Sequence, residues 1–402
     1  MTISLAIAGC GVMGRRHVLG LKKLQEIGRL RFDLVAVCDP VEASAVAMAD
    51  LAESLLGSRP AIYADPAKLP AEVQALDVTT SPNLHARIGI EALQAGRHVQ
   101  MEKPITLTIA EGRELLAAVG DRKLSVAENY RRDPVNRLAK ALIDAGVLGR
   151  PFLIVQSSSG SGEDVIITPW RHLKRACGIA IDMGVHYADI LEYLLGPLET
   201  IGGMGAVIDT ERRGTDGTMH PADAEDLTVG IGRYASGALA TMILNVAGRG
   251  EGHFTRMVYG TKGSLAIPGD RTGQPLRLAL RDSGKDQIVP DQELLSLVTD
   301  FRLDETTAAL YGGERLTSYE LSWADTDANL LAIEFDDFAE AILSDREPEV
   351  DGTFGLRSLA ISYGFLESDR LGRFVSVDEL LTSNALPYQR EVEEAIRAAV
   401  GP

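Results

Sequence analysis

The hexapeptide Gly9-Cys10-Gly11-Val12-Met13-Gly14 sits between a short apolar run at 5–8 and a helical pattern at 13–27. Each glycine answers a separate requirement: Gly9 a tight turn out of a strand, Gly11 close backbone approach to a pyrophosphate, Gly14 close packing of helix on strand. The helix that opens there aims N–H donors and positive potential at phosphate oxygens. The glycine spacing alone is common. The strand before it and the helix after it confine this part of the chain to a parallel α/β sheet built to hold a dinucleotide, with Val12 and Met13 in the turn. A second apolar run at 33–38 ends at Asp39, whose carboxylate can accept hydrogen bonds from both adenosine ribose hydroxyls and would repel a 2′-phosphate. That favours NAD over NADP as cofactor. A flavin, another nucleotide or a glycine turn without ligand are the alternatives on these residues alone.

The pattern continues. Apolar runs at 5–8, 34–38, 76–79, 98–101 and 124–127 alternate with helical stretches at 13–27, 41–56, 84–95 and 109–119, the last opening after the N-cap Thr108. Such alternation predicts a doubly wound parallel sheet, an α/β Rossmann domain over 1–130. Past Pro134 the texture changes to β-rich runs at 152–158, 227–232, 238–246, 256–259 and 264–267, interrupted by one strong helix at 182–195. This predicts an α+β domain over 131–402 with a large, mostly antiparallel open sheet, serving substrate binding and oligomerisation. The stretch 268–324 reads as an irregular insertion. Helices expected at 330–343 and 354–366 pack back on the second sheet or on the first domain.

Composition narrows the partners. A net charge of -17 over 402 residues argues against nucleic acid and against an anionic membrane surface, both of which call for basic patches. Cys10, Cys38 and Cys177 have neither disulfide-framework nor zinc-type spacing, so they read as small buried residues in a reducing compartment. With no basic leader and no long apolar span at the start, a cytoplasmic protein is expected.

Met101-Glu102-Lys103-Pro104 ends a strand at the sheet edge where open α/β folds bind ligands. Together with the glycine turn, Ser81-Pro82-Asn83-Leu84-His85, Asp182-Met183-Gly184-Val185-His186 and the run 258–265, it makes the chain resemble the Gfo/Idh/MocA family of glucose-fructose oxidoreductase, inositol dehydrogenase and rhizopine catabolism enzymes. The resemblance covers most of 1–375 and implies a nicotinamide lying between a Rossmann domain and a sheet domain. It implies catalytic roles for Lys103, Asp182 and His186. Cofactor contacts are implied for Ser81, Asn83, His85, Glu102, Asn129, Trp170 and Arg171, and homodimers or homotetramers formed through the open sheet face.

The residue chemistry agrees. A lysine with a lowered pKa can take a hydroxyl proton as hydride leaves carbon, and a histidine can accept or relay it near neutrality. Asp182 and His186, four apart, share a helix face that Asp189 extends. Their bland reading is a cap and a core histidine. A metal pair would lack a third ligand, and no metal is expected. Asn129 and Arg132 either border the cleft or lie in a solvated connection, and Trp170 is either a cover or core. Ahead of Asp182, Ala176-Cys177-Gly178 keeps only one glycine of the family's glycine-rich run. The basic run Arg171-His172-Leu173-Lys174-Arg175 suits an anionic sugar, or else a solvated loop. Tyr187 is a further substrate-side candidate. The expected reaction is NAD-dependent oxidation of a secondary hydroxyl on a sugar, polyol or sugar derivative. The alternative is a redox-neutral glycosidase that oxidises, eliminates, adds water and re-reduces.

Overall fold

The computed structural model describes residues 2–400. From the start of the chain, β1 (Ile3–Ala8), α1 (Val12–Glu26), β2 (Phe32–Cys38), α2 (Glu42–Leu56), β3 (Ala61–Tyr63), β4 (Ala75–Val78), α3 (Pro82–Gln94), β5 (His98–Glu102), α4 (Ile109–Ala117) and β6 (Leu124–Ala127) follow in order. The strands form one parallel sheet, ordered β3-β2-β1-β4-β5-β6. Apolar residues of β1 and β4 are buried on both faces, which is why they read as continuous apolar runs. The order reverses between β1 and β4, and the crevice beyond their carboxyl ends is where such sheets take ligands. Strand β3 escaped the sequence reading because it has three residues and lies at the edge of the sheet.

The chain then runs through α5 (Pro134–Asp144), β7 (Pro151–Ser161), α6 (Ile179–Leu195), β8 (Leu198–Ala206) and the small pair β9 (Glu211–Arg213) and β10 (Met219–Pro221). Next come β11 (Leu227–Tyr234), β12 (Leu239–Gly248), β13 (His253–Gly260), β14 (Gly263–Ile267), β15 (Arg277–Asp282) and β16 (Lys285–Ile288). The late elements are α7 (Glu305–Tyr311), α8 (Trp323–Leu343), α9 (Gly352–Leu371), β17 (Val375–Ser376), α10 (Val377–Thr382) and α11 (Pro387–Val400). A nine-stranded sheet runs β16-β15-β14-β13-β7-β12-β11-β8-β17 and is antiparallel except where β12 meets β7. Along β11 and β12 burial alternates residue by residue, the signature of a sheet with one covered and one open face. Helix α6 packs on the covered face, against β7, β11 and β12.

The stretch 268–324 is therefore not a structureless insertion. It supplies β15 and β16, joined by Ser283 and Gly284 with φ of 48° and 81°, a turn in which both central residues are left-handed, and then α7.

Two compact units emerge. The first runs up to Arg132 and takes back 304–314 and 321–356; the second holds 133–303, 315–320 and the chain from Arg357 onward. The continuous second segment read from sequence, 131–402, is thus interrupted twice. In the first unit α8 lies along α1, and Phe32 of β2 meets Phe335 and Phe338 of α8, each at 5.8 Å between ring centroids. These rings join Ile3, Leu5, Val18, Leu21 and Leu24 in one core. Among the described residues no helix is long and apolar enough to cross a membrane.

Candidate active site

The glycine turn after β1 is sterically obligatory. Gly9 has φ of 104°, and a Cβ there would lie 2.8 Å from the Thr79 carbonyl carbon. A Cβ on Gly14 would collide with the Gly9 carbonyl oxygen and come within 2.9 Å of Thr79 Oγ1. At Gly11 the reverse holds: nothing lies within 4 Å of a Cβ position, so the space beside that backbone is open. Helix α1 starts there without a side-chain cap or an acid in its first turn, leaving its N-terminal N–H groups for an anion. Val12 is exposed and Met13 half-buried.

Asp39 closes the turn from the end of β2. Its Oδ2 accepts from the Cys10 N–H at 2.9 Å and its Oδ1 from the Val41 N–H at 2.9 Å. A carboxylate has about four acceptor positions, so it can still take ribose hydroxyls. Turn, helix end and acid together fit an NAD dinucleotide. The three cysteines are free and buried, and burial first, then neighbouring charge, pushes the thiols of Cys10 and Cys38 up to about 12. They are not thiolates at neutral pH.

The loops after β4 and β5 meet through His85. Its ring is buried, with Nδ1 2.8 Å from the Pro104 carbonyl and Nε2 3.0 Å from the Thr80 carbonyl. Burial lowers its pKa, and a neutral ring donates to one carbonyl only. His85 thus pins two loops to each other. Ser81, N-cap of α3, donates its hydroxyl to Asn83 Oδ1 at 2.7 Å, and Asn83 is exposed. Lys103, half-buried, opens the loop after β5 and is joined to Pro104 by a cis peptide bond. Glu102 just before it is buried and turned onto His17 of α1, Oε1 to Nε2 at 3.0 Å, while His17 Nδ1 meets Asp77 Oδ2 of β4 at 2.8 Å. Burial opposes the charge on Glu102, yet the His17 hydrogen bond together with the charges of His17, Lys103 and Arg16 outweighs it and holds that carboxyl down at about 2.

Asn129 is buried and accepts the Arg132 N–H at 3.0 Å through its carbonyl. Arg132 does not lie in a solvated connection: its guanidinium is buried and pairs with Asp337 at 3.1 Å and Glu349 at 3.3 Å within the first unit.

In the second unit Asp182, His186 and Asp189 fall along α6, all buried. Asp182 Oδ2 accepts from Arg171 Nε at 3.1 Å. The Arg171 guanidinium also lies 4.5 Å from the centre of the half-buried Trp170 ring and donates to Thr168 Oγ1 at 2.8 Å. Lys174 reaches Glu391 of α11 at 2.7 Å and Glu225 at 3.7 Å. His172 accepts the Ile166 N–H at 3.0 Å, and burial draws its pKa down to about 4. The basic run is therefore distributed over internal partners, and Arg175 is its exposed member. Tyr187, beside His186, is buried with its hydroxyl pKa raised by that burial against a hydrogen bond to Ser158. The sequence reading missed His17, Asp77 and Glu334. The available signal was polarity inside buried stripes: His17 between Gly14 and Leu21 on α1, Glu334 between Leu331 and Phe335 on α8.

Residues 3–130 match the family model described as oxidoreductase family, NAD-binding Rossmann fold, and 136–266 match the GFO/IDH/MocA C-terminal domain. Levoglucosan dehydrogenase of Pseudarthrobacter phenanthrenivorans is 30% identical over 221 residues, 50% of this chain and 56% of that protein. The chain thus aligns with little more than half the length of that relative. Inositol 2-dehydrogenase of Rhizobium meliloti is 30% identical over 276 residues, 67% of this chain and 77% of that protein. Among solved structures, levoglucosan dehydrogenase in complex with NADH superposes with a TM-score of 0.76 at 22% identity, over 94% of this chain and 99% of the other; this likeness concerns the fold.

Proposed function

The chain belongs to the Gfo/Idh/MocA family of NAD-binding oxidoreductases, and from that premise we propose that it transfers hydride reversibly between NAD and a secondary hydroxyl carbon of a sugar, polyol or sugar derivative. The observation that supports this most is the placement of Lys103 at the carboxyl end of β5, on the same sheet edge as the glycine turn after β1. Bound NAD supplies the hydride acceptor. The turn from Gly9 to Gly14 and the start of α1 would hold its pyrophosphate, and Asp39 its adenosine ribose. Lys103 takes the hydroxyl proton, His186 accepts or relays it, and Asp182, tied to Arg171, orients substrate or imidazole. Arg171 and Lys174 already face carboxylates, which supports a neutral polyol over an anionic sugar.

Copies assemble, in this reading, through the open sheet face, where cross-strand neighbours Met204, Val229 and Ile243, with Ile231 and Leu239, form an apolar surface.

The test incubates the protein with NAD and a panel of free sugars, polyols and glycosides, following NADH absorbance and released aglycone. NADH accumulating in step with oxidised sugar is expected. Aglycone released in an NAD-dependent way without net NADH would instead make the enzyme a redox-neutral glycosidase, and silence across the panel would sink both. A second expectation concerns Asp39. Asp39→Ala should weaken NAD binding by about tenfold or more, from lost charge-assisted hydrogen bonds, and narrow the preference for NAD over NADP. Calorimetric titration of both cofactors reads this out, and an unchanged ratio of affinities would remove Asp39 from cofactor selection.

A further inference from the structure

We propose that Glu391 of α11 is a positioning residue for the Arg171–Asp182 pair: with Glu225 it holds Lys174, and through Lys174 it fixes the segment 172–178 that joins Arg171 to α6. The inference rests on the reading of Asp182 as a substrate-side group, but its first readout needs no substrate.

The hold is built from four charges and one ring. Lys174 Nζ lies 2.7 Å from Glu391 Oε2 and 3.7 Å from Glu225 Oε1. Arg370 of α9 meets the same two carboxylates, Glu391 Oε1 at 2.6 Å and Glu225 Oε1 at 3.2 Å. Tyr388 of α11 sits among them. Its hydroxyl donates to Glu225 Oε2, and its ring centre is 4.7 Å from the Lys174 ammonium and 5.5 Å from the Arg370 guanidinium carbon. Two cations thus share two carboxylates, and neutralising Glu391 leaves both competing for Glu225. Glu225 and Tyr388 are buried and the Lys174 side chain is 15% exposed, which makes these pairs worth more than solvated ones. Helix α11 is itself moored on α9, where Glu367 accepts the Tyr388 and Gln389 N–H groups at 3.0 and 2.9 Å. All of these residues belong to the second unit.

The segment so held is continuous with the site. The Leu173 carbonyl accepts the Ala176 and Gly178 N–H groups at 2.9 and 3.1 Å, and the Gly178 carbonyl accepts the Asp182 N–H at 3.0 Å in the first turn of α6. Upstream, the Leu173 N–H donates to the Trp170 carbonyl at 3.0 Å. The Arg171 to Asp182 hydrogen bond closes this stretch into a ring. Inside the ring Cys177 has φ of 94°, a left-handed value that a non-glycine residue keeps only where its surroundings hold it. The surroundings are visible on both sides: a Cβ on Gly178 would lie 2.6 Å from Ala224 Cβ, and the Lys174 N–H donates to Asp223 Oδ1 at 2.7 Å. When the Lys174 side chain loses Glu391, the turn relaxes and the ring changes shape where Arg171 meets Asp182.

Cys177, buried inside the segment, reports its order. The whole protein is labelled with N-ethylmaleimide, and the rate at each cysteine is read by mass spectrometry. Cys177 should react about tenfold faster in Glu391→Gln and in Lys174→Met, and no faster in the double variant than in the faster single. Cys10 and Cys38, buried in the first unit, should keep their rates. An unmoved Cys177 rate, all three cysteines quickening together, or single effects that multiply in the double variant overturns the proposal.

Trp170, whose ring lies against Arg171, reads the effect on the pair itself. In a Trp323→Phe background its emission should move to the red in Glu391→Gln, and a spectrum identical to the parent's overturns the proposal. On the best substrate of the sugar panel, KM should rise by about fivefold or more in Glu391→Gln while NAD affinity stays within about twofold. A KM raised by Lys174→Met alone would make Lys174 a substrate ligand and overturn it too. Should Glu391→Gln fail to fold, the wild-type protein decides: about 1 M NaCl, which screens these charges, should speed labelling of Cys177 relative to Cys10 and Cys38, and an unchanged ratio overturns the proposal. Silence across the sugar panel would count against the proposed function alone, since labelling and emission need no turnover.

Discussion

Lys103→Met is expected to lower turnover by about 10²–10⁴-fold, the range typical of removing a positioned acid–base group, and to leave NAD binding within about twofold. Methionine keeps the length and apolar stem of lysine and offers no proton to exchange. The loop that carries it is held independently of the ammonium, because His85 is buried against the backbone carbonyls of Pro104 and Thr80. The loss should therefore fall on kcat rather than on cofactor affinity, a split that identifies a transition-state interaction. Steady-state rates on the best substrate of the sugar panel, with NADH fluorescence titration alongside, check it. Turnover equal to wild type would remove Lys103 from the chemistry.

Glu334→Gln is expected to stabilise the protein progressively as pH rises. The folded-state pKa is about 8, pushed up by burial from a usual value of 4.5. Between those values the unfolded chain carries an ionised Glu334 and the folded one a protonated carboxyl, so folding takes up a proton and stability falls with rising pH. The slope is roughly 1.4 kcal/mol per pH unit, or on the order of 4 kcal/mol between pH 5 and pH 8. Glutamine is nearly isosteric and does not titrate. The variant should match wild type near pH 5 and exceed it by several kcal/mol near pH 8, as read by urea unfolding at the two pH values. A constant difference would show that Glu334 titrates as an ordinary acid.

What the sequence disclosed follows from the range of the forces involved. The glycine turn, the β/α alternation and the α1 and α6 helices are set by local periodicity and by backbone conformations that few residues tolerate, and these are written in consecutive positions. The capping box on α4, Thr108 with Glu111, is equally local. The β15–β16 hairpin was hard to read because β16 is short, polar, exposed throughout and at the edge of the sheet, so the brief alternation of Leu276, Leu278 and Leu280 leading into β15 had no matching partner strand in the sequence.

The site divides along the same line. Gly9, Gly11 and Gly14 could be proposed because they lie in one turn, and Asp39 because it ends the next strand and meets that turn through the Cys10 N–H. The role of His17 could not, since its partners Asp77 and Glu102 are 60 and 85 residues away. Lys174 looked like a free cation in a basic run; only the folded chain brings Glu225 and Glu391 to it. A charge run in sequence records which charges are close to each other along the chain. It does not record which opposite charges arrive from elsewhere.

Asp39 carries a consequence for how cofactor preference can drift over evolutionary time. The same carboxylate that would meet the adenosine ribose also receives the Cys10 and Val41 N–H groups, so the residue we propose as the selector of the coenzyme is also a fastening of the glycine turn. A lineage exchanging Asp39 for a small neutral residue to admit a 2′-phosphate would at once leave those two backbone donors without their acceptor. The substitution is therefore viable only alongside a replacement partner for them, and coenzyme choice is inherited as a property of the whole turn.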